Sequence, residues 1–156
     1  MPQQLWLLRH GDAEPHGSRP DAERRLTGKG ERQSRLAGEA LARLGGRFDA
    51  VFTSPRIRSL DTAKLACRAL DCDPVVHEPL SAGFGRDGVD ELLAGHDDDA
   101  TILLVGHEPD FSQIVHDLTG GRVDMKKGGV AGVRVERRSG ELIALLRPAE
   151  VRRVAG

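Results

Sequence analysis

The apolar positions of this chain fall into short unbroken runs that alternate with stripes at helical spacing. Leu5-Trp6-Leu7-Leu8, bounded by polar Gln3 and Gln4, predicts a buried strand over Gln4 to Leu8. Thr27 reads as a helix cap, and the helix it opens reaches about Leu44. Leu36, Ala40, Leu41 and Leu44 fall on one face of it, Glu31, Arg32, Arg35 and Glu39 point outward, and Gly45-Gly46 ends it. A strand at about Asp49 to Thr53 leads into a helix from about Arg58 to Leu70, followed by a short strand, Pro74-Val75-Val76-His77. Next come a short helix, Val89 to Ala94, a strand, Thr101 to Val105, and a helix, Phe111 to Leu118, capped by Asp110 or a neighbour. Gly129 to Glu136 and Glu141 to Arg147 read as strands joined by Arg137-Arg138-Ser139-Gly140 in a hairpin. The polar stretch Asp12 to Arg25, broken by Pro15, Gly17 and Pro20, reads as a loop over the mouth of any site nearby. The tail, Pro148 to Gly156, reads as loosely held.

Alternating strands and helices imply a three-layer α/β fold, a mostly parallel sheet with helices on both faces, in a single domain over residues 1–156. The closing hairpin forces at least one antiparallel pairing, because parallel neighbours need a long crossover. Open α/β sheets gather ligands at the carboxyl ends of their strands. In this chain those ends carry unusual residues. The first strand stops at Arg9-His10-Gly11, and the fourth at Gly106-His107-Glu108-Pro109. Between them the second strand breaks at Ser54-Pro55, and the following helix carries Arg58 in its first turn. A helix N-terminus beside a cation favours an anion.

Composition narrows the classes of partner. The formal net charge is −1, so no basic field draws the chain to nucleic acid or to an anionic membrane. Aromatic residues make up 3% and tyrosine is absent, which argues against stacking on bases or sugars. No apolar stretch approaches a membrane span. Met1-Pro2 runs straight into the first strand without a basic leader, so a cytoplasmic location is the default expectation; a monomer is the default for the oligomeric state. Cys67 and Cys72 lack the number and spacing of a zinc site and read as structural. Asp97-Asp98-Asp99 reads as a solvated turn rather than a metal site.

The residue types at the strand ends suit phosphoryl chemistry. A guanidinium matches phosphate oxygens with a planar fork of donors. A neutral imidazole is a competent nucleophile near neutral pH. Leu8-Arg9-His10-Gly11, Ser54-Pro55-x-x-Arg58-x-x-x-Thr62 and Val105-Gly106-His107 resemble the three core motifs of the histidine phosphatase superfamily, the phosphoglycerate mutase-like fold. Within it the chain is similar to the SixA-type phosphohistidine phosphatases, on Arg9-His10-Gly11-Asp12-Ala13, Leu26-Thr27-x-x-Gly30, Gly106-His107-Glu108-Pro109-Asp110 and its short length.

The resemblance implies a catalytic set of His10, Arg9, Arg58 and His107. His10 accepts the phosphoryl group, Arg9, Arg58 and His107 bind its oxygens, and water then hydrolyses phospho-His10. No metal or other cofactor is implied. Arg56 competes with Arg58 by proximity, but the family spacing selects Arg58. Ser54 could bond the phosphate, although a turn role before Pro55 suffices to explain it. Lys126 and Lys127 could edge the pocket or simply be exposed.

Mutase and monoester phosphatase relatives usually place a Glu or Asp general acid after the third strand. Here the segment reads Glu78-Pro79-Leu80-Ser81-Ala82-Gly83, with Ala82 at the expected position and Glu78 too early. An alkoxide leaving group needs a proton donor far more than an imidazole does. The short chain also leaves little room for a lid, so a histidine on a folded protein could reach the pocket. The substrate expected is phosphohistidine on a protein. The alternatives are a small phosphorylated metabolite, with Asp12 to Arg25 as a partial lid, and a non-catalytic phosphate-binding module.

Overall fold

The computed structural model describes residues 2–156. Six strands, β1 (Gln3–Arg9), β2 (Ala50–Thr53), β3 (Pro74–Val76), β4 (Thr101–Gly106), β5 (Val130–Glu136) and β6 (Ser139–Leu146), form one sheet in the order β3-β2-β4-β1-β5-β6. The pairings β2–β3, β2–β4 and β1–β4 are parallel, and β1–β5 and β5–β6 are antiparallel. The helices are α1 (Gly28–Gly45), α2 (Ile57–Leu70), α3 (Arg86–Ala94), α4 (Asp110–Thr119) and α5 (Pro148–Ala155). Short 3-10 turns lie at Asp21–Glu23 and Glu78–Ser81. Among the described residues no helix is long and apolar enough to cross a membrane.

Alternation along β1 divides the interior into two layers, as a period of two requires. Leu5 and Leu7 enter a core with Val89 and Leu93 of α3 and Phe111, Ile114 and Leu118 of α4. Trp6 and Leu8 enter the opposite core with Ala37 and Leu41 of α1, Ala63 and Ala66 of α2, and Val151 and Ala155 of α5. The central strands are covered on both faces, which is why their sequences are continuously apolar.

The buried stripe of α1 differs from the expected one. Ser34, Ala37, Gly38, Ala40 and Leu41 are buried, whereas Leu44 is 41% exposed. Small residues set the stripe because α1 and α2 approach closely. A Cβ on Gly38 would stand 2.3 Å from the Ala66 carbonyl oxygen.

The C-terminal segment departs from the loose tail that was expected. It forms α5, with Pro148 in its first turn and the Glu150 carboxylate accepting from the Arg147 backbone N–H at 3.1 Å. Val151 and Ala155 bury against the Trp6 side of the sheet, and the Arg43 guanidinium donates to the Val154 carbonyl at 3.0 Å. The spacing Val151, Val154, Ala155 is an amphipathic signal, shortened to little more than two turns.

The hairpin also closes differently. Glu136 pairs with Ser139, so Arg137 and Arg138 alone make the turn, both at positive φ, 50° and 67°. Two-residue hairpins demand that conformation, which arginine rarely adopts, and Gly140 drew the turn too far along in the sequence. Gly140 lies inside β6.

Candidate active site

The carboxyl ends of β1, β2 and β4 meet at one sheet edge and bring the four predicted side chains together. Arg9 ends β1, and His10 is locked by its backbone N–H, which donates to the Gly106 carbonyl at 3.0 Å. His107 follows β4, and Arg58 sits in the first turn of α2 after the break at Ser54-Pro55. The rings of His10 and His107 lie 5.3 Å apart, centroid to centroid. His10, Arg58 and His107 are all buried.

Gly11 owes its place to packing rather than to an unusual dihedral. A Cβ there would come within 2.5 Å of the Gly30 carbonyl oxygen, so only glycine lets the start of α1 close over the loop after His10. The Gly11 N–H donates to Thr62 Oγ1 at 3.1 Å, and Thr62 Oγ1 donates to the Arg58 carbonyl at 2.7 Å. Thr62 therefore ties the first motif to the second.

Each imidazole has one nitrogen engaged. His10 Nδ1 lies 2.7 Å from the Gly11 carbonyl oxygen, which only accepts, so Nδ1 carries the proton and the Nε2 lone pair is left for chemistry. His107 Nε2 lies 2.8 Å from Ser54 Oγ, and its buried Nδ1 has no protein partner. The buried Nε atoms of Arg9 and Arg58 are likewise without a protein partner, although other atoms of both guanidiniums are bonded. Orphaned buried donors on two guanidiniums and an unsatisfied imidazole nitrogen suit an anion with several oxygens.

Burial, followed by the charges of Arg58 and Arg9, lowers the His10 pKa from 6.5 to about 4, against an opposing hydrogen bond to Gly11. Burial lowers His107 to about 3, aided by His10, Arg58 and Arg56. Both rings are neutral at pH 7. The unfolded chain takes up protons near pH 6.5 that the folded chain refuses, so stability falls as pH drops below about 6.5, through about 4 for His10 and about 3 for His107. Titration of the histidine ring resonances is expected to leave His10 neutral at pH 6 and to give a midpoint near 4. A midpoint near 6.5 would contradict this environment.

One participant was not anticipated, and another has a role other than those weighed. Asp21, in the loop expected to overhang the site, accepts from Arg58 Nη1 through its carbonyl at 2.7 Å and from Arg58 Nη2 through its carboxylate at 3.2 Å. The same carboxylate pairs with Arg56 and with buried Arg24, 2.9 Å away. Partial burial raises its pKa, but the hydrogen bonds and charges of Arg24 and Arg58 outweigh it and hold the group at about 2. Ser54, read as a turn residue, is fully buried and bonded to His107. Lys127 approaches Asp12 at 3.7 Å, and exposed Lys126 pairs with Asp124 at 2.8 Å. Cys67, in α2, and Cys72, just beyond it, are free, and burial pushes the Cys67 thiol up to about 12, which makes it inert.

Comparison with known proteins identifies the family and the fold. The family described as histidine phosphatase superfamily (branch 1) matches residues 5–82. An uncharacterized protein of Picosynechococcus sp. is 34% identical over 142 residues, covering 84% of each chain. The protein histidine phosphatase SixA complexed with tungstate shares the fold at a TM-score of 0.81, with 23% identity over 95% of this chain and 99% of that one. An Escherichia coli protein assigned as an alpha-ribazole-5'-P phosphatase superposes at a TM-score of 0.76, with 19% identity over 95% and 98%. The chain belongs to branch 1 of the histidine phosphatase superfamily, and it shares its fold with SixA.

Proposed function

We propose that this phosphatase removes the phosphoryl group from phosphohistidine on a protein, without a metal ion, through a phosphohistidine on His10. The Nε2 lone pair of His10 attacks phosphorus while the bond from phosphorus to the substrate imidazole breaks. Arg9 and Arg58 hold the phosphoryl oxygens and offset their charge as it spreads in the transition state. His107 donates to an oxygen from the opposite side. Water then attacks phospho-His10, inorganic phosphate leaves, and the His10 lone pair is restored. Two permanent cations supply the electrophilic pull that a metal ion would otherwise provide.

The observation that carries the choice of substrate is the state of the carboxylate beside the clamp. Asp21 is ion-paired to three arginines and held at about pKa 2, so it is ionised and cannot donate a proton at neutral pH. Ala82 and Glu78 are exposed on the segment after β3, where monoester phosphatase relatives place a general acid. An imidazole protonated on its far nitrogen departs neutral without help, whereas an ester leaves as an alkoxide that needs a proton.

Phosphohistidine in a protein is therefore expected to be hydrolysed much faster than phosphoserine or a sugar phosphate under the same conditions, and chelators should leave the rate unchanged. Equal or ester-favouring rates with several unrelated phosphohistidine proteins would support the second reading, a phosphatase of a small phosphorylated metabolite. The shared fold of the alpha-ribazole-5'-P phosphatase is what favours that reading. Strong inhibition by chelators would bring back a metal mechanism.

A further inference from the structure

We infer that Ser54 is a positioning residue that fixes His107 as its Nδ1–H tautomer and so makes that ring a hydrogen-bond donor toward the phosphoryl group. The inference rests on the proposed role of His107, but its main observable does not require catalysis.

The bonding around Ser54 sets the direction. The Arg56 backbone N–H donates to Ser54 Oγ at 3.2 Å, which uses an acceptor lone pair and leaves the hydroxyl proton free. Ser54 is fully buried, and the other partner of its hydroxyl is His107 Nε2 at 2.8 Å. If Nε2 carried the imidazole proton, the buried hydroxyl proton of Ser54 would have no acceptor. With the hydroxyl donating to Nε2, every proton in this chain of bonds is used, and Nδ1–H points to a place with no protein acceptor. Ser59 Oγ stands 3.4 Å from the same nitrogen, a longer contact that suits either tautomer and so does not set it.

The assignment gives the two rings complementary roles. In His10 the Gly11 carbonyl holds the proton on Nδ1 and leaves Nε2 as a lone pair, the nucleophilic side. In His107 the proton is also on Nδ1, but there the engaged nitrogen is Nε2 and the protonated one has no protein partner. One imidazole presents electrons and the other a proton, with ring centroids 5.3 Å apart. The break at Ser54-Pro55 thus does more than turn the chain. It delivers a hydroxyl to the second histidine from a different strand.

The test uses the full chain labelled with nitrogen-15 in histidine, with long-range proton–nitrogen spectra recorded at neutral pH without substrate. Wild type is expected to show a pyridine-type Nε2 and a pyrrole-type Nδ1 for His107. Ser54→Ala should lose that single tautomer, and its kcat on a phosphohistidine protein should fall by about ten- to a hundredfold, as expected when a partner that orients an active imidazole is removed. An Nε2–H form in wild type overturns the inference. So does an unchanged tautomer in Ser54→Ala, or a changed tautomer with undiminished kcat. Failure of the phosphoryl-transfer reading would appear separately, as retained activity in a His10 variant.

Discussion

Replacing His10 by alanine is expected to abolish turnover, lowering kcat by on the order of 10⁴-fold or more, the scale seen when a covalent nucleophile is removed. The reason lies in the bonding of one ring. His10 is buried and neutral at pH 7, its Nδ1 donates to the Gly11 carbonyl, and its ring lies 5.3 Å from that of His107, centroid to centroid. The other buried imidazole among the described residues, His107, has its Nε2 bonded to Ser54 Oγ. Ser54 is occupied with His107, and Cys67 is buried in α2 with its thiol protonated. The loss should fall on kcat and kcat/KM alike, because the deleted bond forms only in the transition state. Far-ultraviolet circular dichroism and thermal unfolding should show the variant folded, since His10 gives the fold its backbone bond to Gly106, which alanine keeps. Full activity in the variant would move the nucleophile elsewhere.

Arg58→Ala is expected to cost about 10²–10³-fold in turnover, the usual loss for one charged donor in a transition-state clamp. Arg56→Ala should lose less than about tenfold by the same comparison. The two arginines share Asp21 but differ in burial. The Arg58 side chain is 6% exposed and its inner Nε has no protein partner, whereas the Arg56 side chain is 25% exposed and its Nε reaches Ser81. Asp21 grips both outer nitrogens of Arg58 and leaves the inner edge free, an arrangement suited to holding a phosphoryl oxygen. If the losses of the two variants were exchanged, the inner arginine would be Arg56 and the register after Ser54-Pro55 would shift by two.

What the sequence disclosed follows from chain geometry. Arg9, His10 and His107 directly follow apolar runs that could only be central strands, so their meeting at one sheet edge was implied by strand direction alone. Arg58 was legible because a Ser-Pro break precedes a helix-periodic stretch. Asp21 was not, because a polar loop has no periodicity to place it, and only the packed position of Arg58 gives that carboxylate a partner. Ser54 was seen as a residue type, but the direction of its hydroxyl depends on β4, distant in sequence. The same limit explains α5, whose apolar stripe is too short to stand out until α1 and the sheet provide something to cover. It also explains the hairpin, where pairing from Glu136 to Ser139 imposed positive φ on arginines that turn statistics disfavour.

Trapping of the covalent intermediate bears on the chemistry at its core. Enzyme mixed with a radiolabelled phosphohistidine protein and quenched rapidly under alkaline, acid-avoiding conditions should carry label on His10 at Nε2, since Nδ1 is tied to Gly11. No label should accumulate on His10→Ala. Label retained in that variant, on His107 or any other residue, or label found at Nδ1 of His10, would contradict the mechanism.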